Sequence, residues 1–129
     1  MLDHHVEVED ARVARRTRRV VHGVDIEEVN RTDPDAVVKR QVVPSERVDG
    51  LSRTVALEIV TQADLPVEVR ESAADLVVAL FGAYLAEDAT LAEINPLIRT
   101  PDDRVVALDA KVSLDENAAF RHGELAEWR

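Results

Sequence analysis

Four polar residues between positions 91 and 122 carry the most specific chemical pattern in this chain: Glu93, Asn95, Asp109 and Lys111. Glu93 and Asn95 are two apart, as are Asp109 and Lys111, and residues two apart on an extended strand project from the same face. One face then offers two carboxylates, an amide oxygen and an ammonium, interleaved with apolar Leu91, Ile94, Val106 and Leu108. Such a set suits a Mg²⁺–phosphate site, because a hard cation takes a few carboxylate or amide oxygens and leaves its other positions to phosphate and water. It equally describes a solvated sheet face, the commoner source of polar residues on a hairpin.

The positioning elements are two strands and a turn. Thr100, Pro101, Asp102 and Asp103 are turn formers. The run 90–98 precedes them, and the run 104–112 follows them with the β-branched content of a strand. Antiparallel pairing across this turn brings Asn95 and Asp109 towards each other.

EINPL at 93–97, VVALDAK at 105–111 and DENAAFRH at 115–122 form an ordered series of words. The series resembles the ATP-grasp domain of the β subunit of succinyl-CoA synthetase (succinate–CoA ligase). GVDIEEV at 23–29 matches a second signature of that family. The resemblance runs from about residue 23 to the end, with a more variable middle. It implies an α+β fold, a partial ATP-grasp subdomain whose largely antiparallel sheet packs against two helices.

It also implies roles. The family's asparagine and the aspartate of the following strand bind the Mg²⁺ that bridges nucleotide phosphates, and they match Asn95 and Asp109. The glutamate matching Glu93 lies where the phosphohistidine loop of the α subunit arrives and is thought to help its phosphorylation, which makes Glu93 the implied catalytic residue. Asn117 and Arg121 match structural positions, and Lys111 stands between a site role and a salt bridge. The implied reaction is acid–thiol ligation: succinate, CoA and ATP (GTP is possible) give succinyl-CoA, nucleoside diphosphate and phosphate. Malate–CoA ligase shares these motifs, and a non-catalytic subunit-binding module could descend from the same fold. The implied partners are the α subunit, or the parts of the β subunit that this sequence lacks, together with small-molecule substrates. In relatives a glycine-rich nucleotide lobe precedes the stretch beginning here and a CoA-ligase domain follows it, so the chain alone is expected to be inert.

Composition narrows the classes. A length of 129 residues allows one domain. The net charge of −10 argues against nonspecific nucleic-acid binding, which needs Lys and Arg to displace counterions. No apolar run reaches the length of a membrane span, and the start shows neither a basic leader nor an apolar segment, so a cytoplasmic protein is expected. Cysteine is absent, which removes disulfide and thiol chemistry.

Residues 1–22 differ from 23–129. An acidic patch runs into Arg12, Arg15, Arg16, Arg18 and Arg19, and the valines hold no period, so a solvated arm is expected. Where relatives carry a serine-x-glutamate-glycine-glycine turn before the second signature, His22 stands in place of the first glycine, as a truncation or an upstream frame change would produce. A short acidic helical turn is expected at 25–30 and a strand at 36–43. A helix is expected at 51–62, capped by Ser52 or Asp49. Val69, Ala73, Leu76, Leu80 and Tyr84, widened by Val77 and Phe81, mark a helix over 67–88. Gly82 suggests close packing there. A short helix is expected at 115–120, ended by Gly123. His4, His5, His22 and His122 lack the spacing of metal ligands, so no zinc site is expected.

Overall fold

The computed structural model describes residues 4–8, 12–15 and 26–124. Its sheet is organised around β4, Ala89–Arg99. One edge of β4 pairs antiparallel with β1, His4–Val8, which pairs with β2, Arg12–Arg15, and β2 in turn with β3, Val37–Lys39. The other edge pairs with β5, Val105–Ala107, and then with β6, Ala110–Leu114. Residues 4–8 and 12–15, within the stretch expected to be an arm, pair as strands of the sheet. Backbone pairing supplied the order that local periodicity does not show, since a strand's partners fix its place whatever its own pattern.

Helices α1, Ile26–Thr32, and α2, Glu46–Asp49, are short; α3, Arg53–Gln62, and α4, Arg70–Ala86, are the main ones. Ser52 caps α3, its hydroxyl accepting from the Val55 N–H at 3.3 Å. Asp64, at φ 54°, lets the chain turn after α3. The Leu65 N–H then donates to the Val60 carbonyl at 3.2 Å, satisfying an otherwise orphaned helix-end acceptor.

The core lies between these helices and one face of β4. It gathers Ala56, Ile59 and Val60 of α3, Ala73, Ala74, Val77 and Phe81 of α4, and Ala92, Ile94 and Leu97 of β4. The centre of the α4 stripe is thus Ala73–Val77–Phe81, with Leu76, Leu80 and Tyr84 half-buried on its flanks rather than at its middle. With only two Phe, one Tyr and one Trp in the chain, the offset stack of Phe81 on Tyr84 (centroids 5.9 Å apart) is a scarce resource. Such pairs add about 0.5–1.5 kcal/mol beyond area burial. Gly82 is exposed, and nothing lies within 4 Å of where its Cβ would be. The close packing expected there is not found.

At the rim of the core, Arg40 clasps Glu46 through two bonds, Nη1 to Oε2 at 2.7 Å and Nη2 to Oε1 at 2.6 Å. The Val43 N–H donates to the same carboxylate at 3.0 Å. This staple holds the 40–46 turn, and it ends the strand expected at 36–43 after three residues.

Candidate functional site

The run expected as one strand over 104–112 is two. The turn tightens at Asp103, φ 58°, where Thr100 brackets Arg104: its N–H donates to the Arg104 carbonyl at 2.9 Å, and its hydroxyl accepts from the Arg104 N–H at 3.1 Å. β5 then pairs with 97–99 of β4, and β6 with 89–94. Between them sits a break at Leu108 and Asp109, opposite Asn95 and Pro96. Pro96 has no N–H to give, and its carbonyl accepts from the Leu108 N–H at 3.1 Å. The Asn95–Pro96 peptide is cis.

That break is where the expected site residues meet. The Asn95 N–H donates to the Asp109 carbonyl at 3.2 Å, and Glu93 stands directly opposite Lys111. The Asn95 Nδ2 donates to Glu93 Oε1 at 3.3 Å, so these two side chains share a face. Asp109 is exposed, and its Oδ1 accepts from the Ala110 N–H at 2.9 Å, which pins one carboxylate oxygen. Among the described residues no hydrogen bond links the Asp109 side chain to Glu93 or Asn95; the backbone brings them into register.

One expectation about this face is corrected. Ile94 does not interleave with the polar residues: it is 5% exposed and points into the core with Ala92 and Leu97. Alternation along a strand decides this, since Ile94 is one residue from both Glu93 and Asn95. Leu108 lies in the break and is 61% exposed.

The donors at this face are carboxylate and amide oxygens, the class a hard cation prefers, and the exposure of Asp109 leaves room for the waters that Mg²⁺ retains. The donor set therefore fits Mg²⁺, with Asn95 and Asp109 as the residues that would hold it.

A second polar cluster lies at the start of β4, and sequence spacing gave no sign of it. Asp88, at φ 49°, bonds His122 Nε2 through Oδ2 at 2.8 Å and also pairs with Arg121. His122 follows a 3-10 helix, Glu116–Arg121, whose start Asp115 caps by accepting from the Asn117 N–H at 2.9 Å. That helix was expected, but it ends at His122 rather than at Gly123. Arg121 ties this segment to the start of β4 through Asp88.

Comparison with known proteins places the chain. The family model of the ATP-grasp domain matches residues 7–99, well over half of the sequence. The chain belongs to the ATP-grasp domain family. The match takes in Glu93 and Asn95 and stops before Asp109 and Lys111. This ATP-grasp domain is also similar to a solved structure, ATP citrate lyase from Methanothrix soehngenii in complex with citrate and coenzyme A. The TM-score is 0.60 at 18% identity, over 98% of this chain and 28% of that one. At that identity the likeness is one of fold, and it extends across both strands of the candidate site. The chain spans little more than a quarter of the lyase chain's length. The expected α+β, partial ATP-grasp architecture is what the structure has. Among the described residues no helix is long and apolar enough to cross a membrane.

Proposed function

We propose that this ATP-grasp domain contributes the Mg²⁺–phosphate side of a nucleotide site in an ATP-dependent acid–thiol ligase of the succinate–CoA ligase type. In this reading Asn95 and Asp109 hold the metal, and Glu93 faces the group that receives the phosphoryl. The observation that supports it most is the hydrogen bond from the Asn95 N–H to the Asp109 carbonyl at 3.2 Å. It sets two residues with hard-oxygen side chains beside each other on neighbouring segments of the hairpin. A bound Mg²⁺ would neutralise phosphate charge during transfer. The residues' own part is to orient. Asn95 is held by Glu93 Oε1 and by its backbone bond, and Asp109 by the Ala110 N–H. Lys111, opposite Glu93, adds a positive charge beside the face.

The fold likeness to a lyase solved with citrate and coenzyme A supports a CoA-linked acid substrate in general. Succinate is the choice favoured by the EINPL, VVALDAK and DENAAFRH words; malate is the alternative. The rest of the machinery would come from other parts of the enzyme, such as an α subunit or the remaining β-subunit segments. ATP or ADP, with GTP possible, would be the nucleotide, and the cytoplasm the compartment.

The test is paramagnetic. Mn²⁺ with ADP, added to the labelled chain, should broaden the amide signals of Asn95, Asp109 and their strand neighbours even if binding is weak. Asn95→Ala and Asp109→Ala should abolish that broadening. Broadening confined to other acidic surfaces, or unchanged in both variants, would sink the reading.

A further inference from the structure

The second cluster, at the opposite end of β4, is built differently from the first. Glu87, His122 and Glu124 offer ligand atoms that all lie within 4.8 Å of one another. His122 Nδ1 stands 3.9 Å from Glu87 Oε2 and 3.6 Å from Glu124 Oε1. Both separations are too long for a hydrogen bond. Ligands about 2.0–2.2 Å from a tetrahedral ion stand roughly 3.3–3.6 Å apart. The Glu124 separation matches that spacing and the Glu87 one is slightly wider, so a small rotation of the exposed Glu87 side chain would bring its oxygen to the distance of a donor sharing a cation with Nδ1.

The tautomer points the same way. Asp88 Oδ2, 2.8 Å from His122 Nε2, commits that nitrogen to carrying the proton. In the neutral ring the Nδ1 lone pair then faces two carboxylates, and a cation at that position or a second proton on the ring relieves the repulsion. A carboxylate behind a ligating imidazole is the usual arrangement that fixes ring orientation at metal sites.

We infer that Glu87, His122 and Glu124 form a binding site for a borderline divalent cation of the zinc type, with Asp88 as the positioning residue. Mixed imidazole and carboxylate donors suit Zn²⁺, while Mg²⁺ prefers an all-oxygen shell. The His122 side chain is 13% exposed and the Glu87 and Glu124 side chains 51% and 71%, which leaves an open side for water as a fourth ligand. The frame is tied by the backbone as well: the Asp115 N–H donates to the Asp88 carbonyl at 2.9 Å, and Arg121 holds the other Asp88 oxygen. A bound ion would staple the α4–β4 turn to the segment that follows β6. The inference does not depend on the proposed Mg²⁺–phosphate site.

The competitor for this position is a proton. The Asp88 hydrogen bond, then the charges of Asp88, Glu124 and Glu87, raise the His122 pKa above its ordinary value. A protonated ring would pair with these acids directly.

The experiment uses the full chain carrying His4→Gln, His5→Gln and His22→Gln, so that His122 is its only histidine. Zn²⁺ is titrated by calorimetry while the His122 ring nitrogens are followed by NMR. The expected result is one Zn²⁺ per chain and a shift of the Nδ1 resonance, unchanged by excess Mg²⁺ and by Asp109→Ala. Glu87→Gln, Glu124→Gln and His122→Gln should each weaken binding by about tenfold or more, and Asp88→Asn by about 10–100-fold. Asparagine tolerates the left-handed backbone at position 88. Melting without Zn²⁺ shows whether each variant is folded. An Nδ1 signal that does not respond to Zn²⁺ in the folded parent, or binding that survives His122→Gln, overturns the inference, whatever becomes of the nucleotide site.

Discussion

The two faces of β4 are built from opposite materials. Towards the helices it presents Ala92, Ile94 and Leu97, all buried in one cluster with Phe81 and Ile59. Away from them it presents Glu93 and Asn95, half-exposed and linked side chain to side chain. One strand thus serves as core on one side and as a polar platform on the other. Stability is invested in packing, and the chemical groups ride on it. Changes on the first face should therefore cost folding, and changes on the second should cost binding.

The largest expected effect tests the buried face. Ile94→Ala should destabilise the chain by about 2–5 kcal/mol, since it removes buried methyl groups and leaves a cavity against α4. Denaturant unfolding followed by circular dichroism measures it. A loss below about 0.5 kcal/mol would mean that β4 is not anchored by this face.

An intermediate case lies at the edge of the core, where charge rather than apolar area is buried. Glu46→Gln weakens the Arg40 clasp and should cost about 2 kcal/mol at neutral pH. The Arg40 hydrogen bonds hold the Glu46 carboxyl below its ordinary pKa. Its contribution is therefore present above the unfolded-state value near 4.5 and is lost as pH falls through the lower folded value. The stability gap between parent and variant should narrow as the solution is made acid, and a gap constant across that range would refute the linkage.

On the polar face, we predict that Asn95→Ala and Asp109→Ala each change stability by no more than about 1 kcal/mol while removing the Mn²⁺–ADP signal. If either variant unfolds the chain, the division of labour between the two faces is wrong.

The smallest effect should come from a surface ion-pair network. Arg53 bridges α3 to Glu71 and Asp75 of α4, with its side chain half in solvent. Arg53→Ala should cost at most about 1 kcal/mol, and less in high salt. A larger, salt-insensitive loss in thermal melting would show that this bridge is structural after all.

Much of this was legible because local chemistry fixes it. The Ser52 cap, the Asp102–Asp103 turn, the α4 stripe and the two-residue spacing of Glu93 and Asn95 are decided within a few residues. The α+β class and the ATP-grasp family could be read from the words at 93–97, 105–111 and 115–122. Other features were hidden because their causes are distant. The break at Leu108 and Asp109 follows from Pro96, which lies across the ladder and cannot donate. The place of 4–8 beside β4 depends on a partner more than eighty residues away.

The sequence by itself determined which residues turn, cap and alternate, and so which side chains β4 offers to each of its faces. Only the tertiary structure decided what the buried face meets, the helices α3 and α4, and where the second strand breaks opposite Asn95 and Pro96. It also brought Glu87 and Asp88, at the end of α4, to His122 and Glu124 beyond β6. Alternation and capping depend on near neighbours, whereas pairing and side-chain clustering depend on which distant segments the folded backbone brings together.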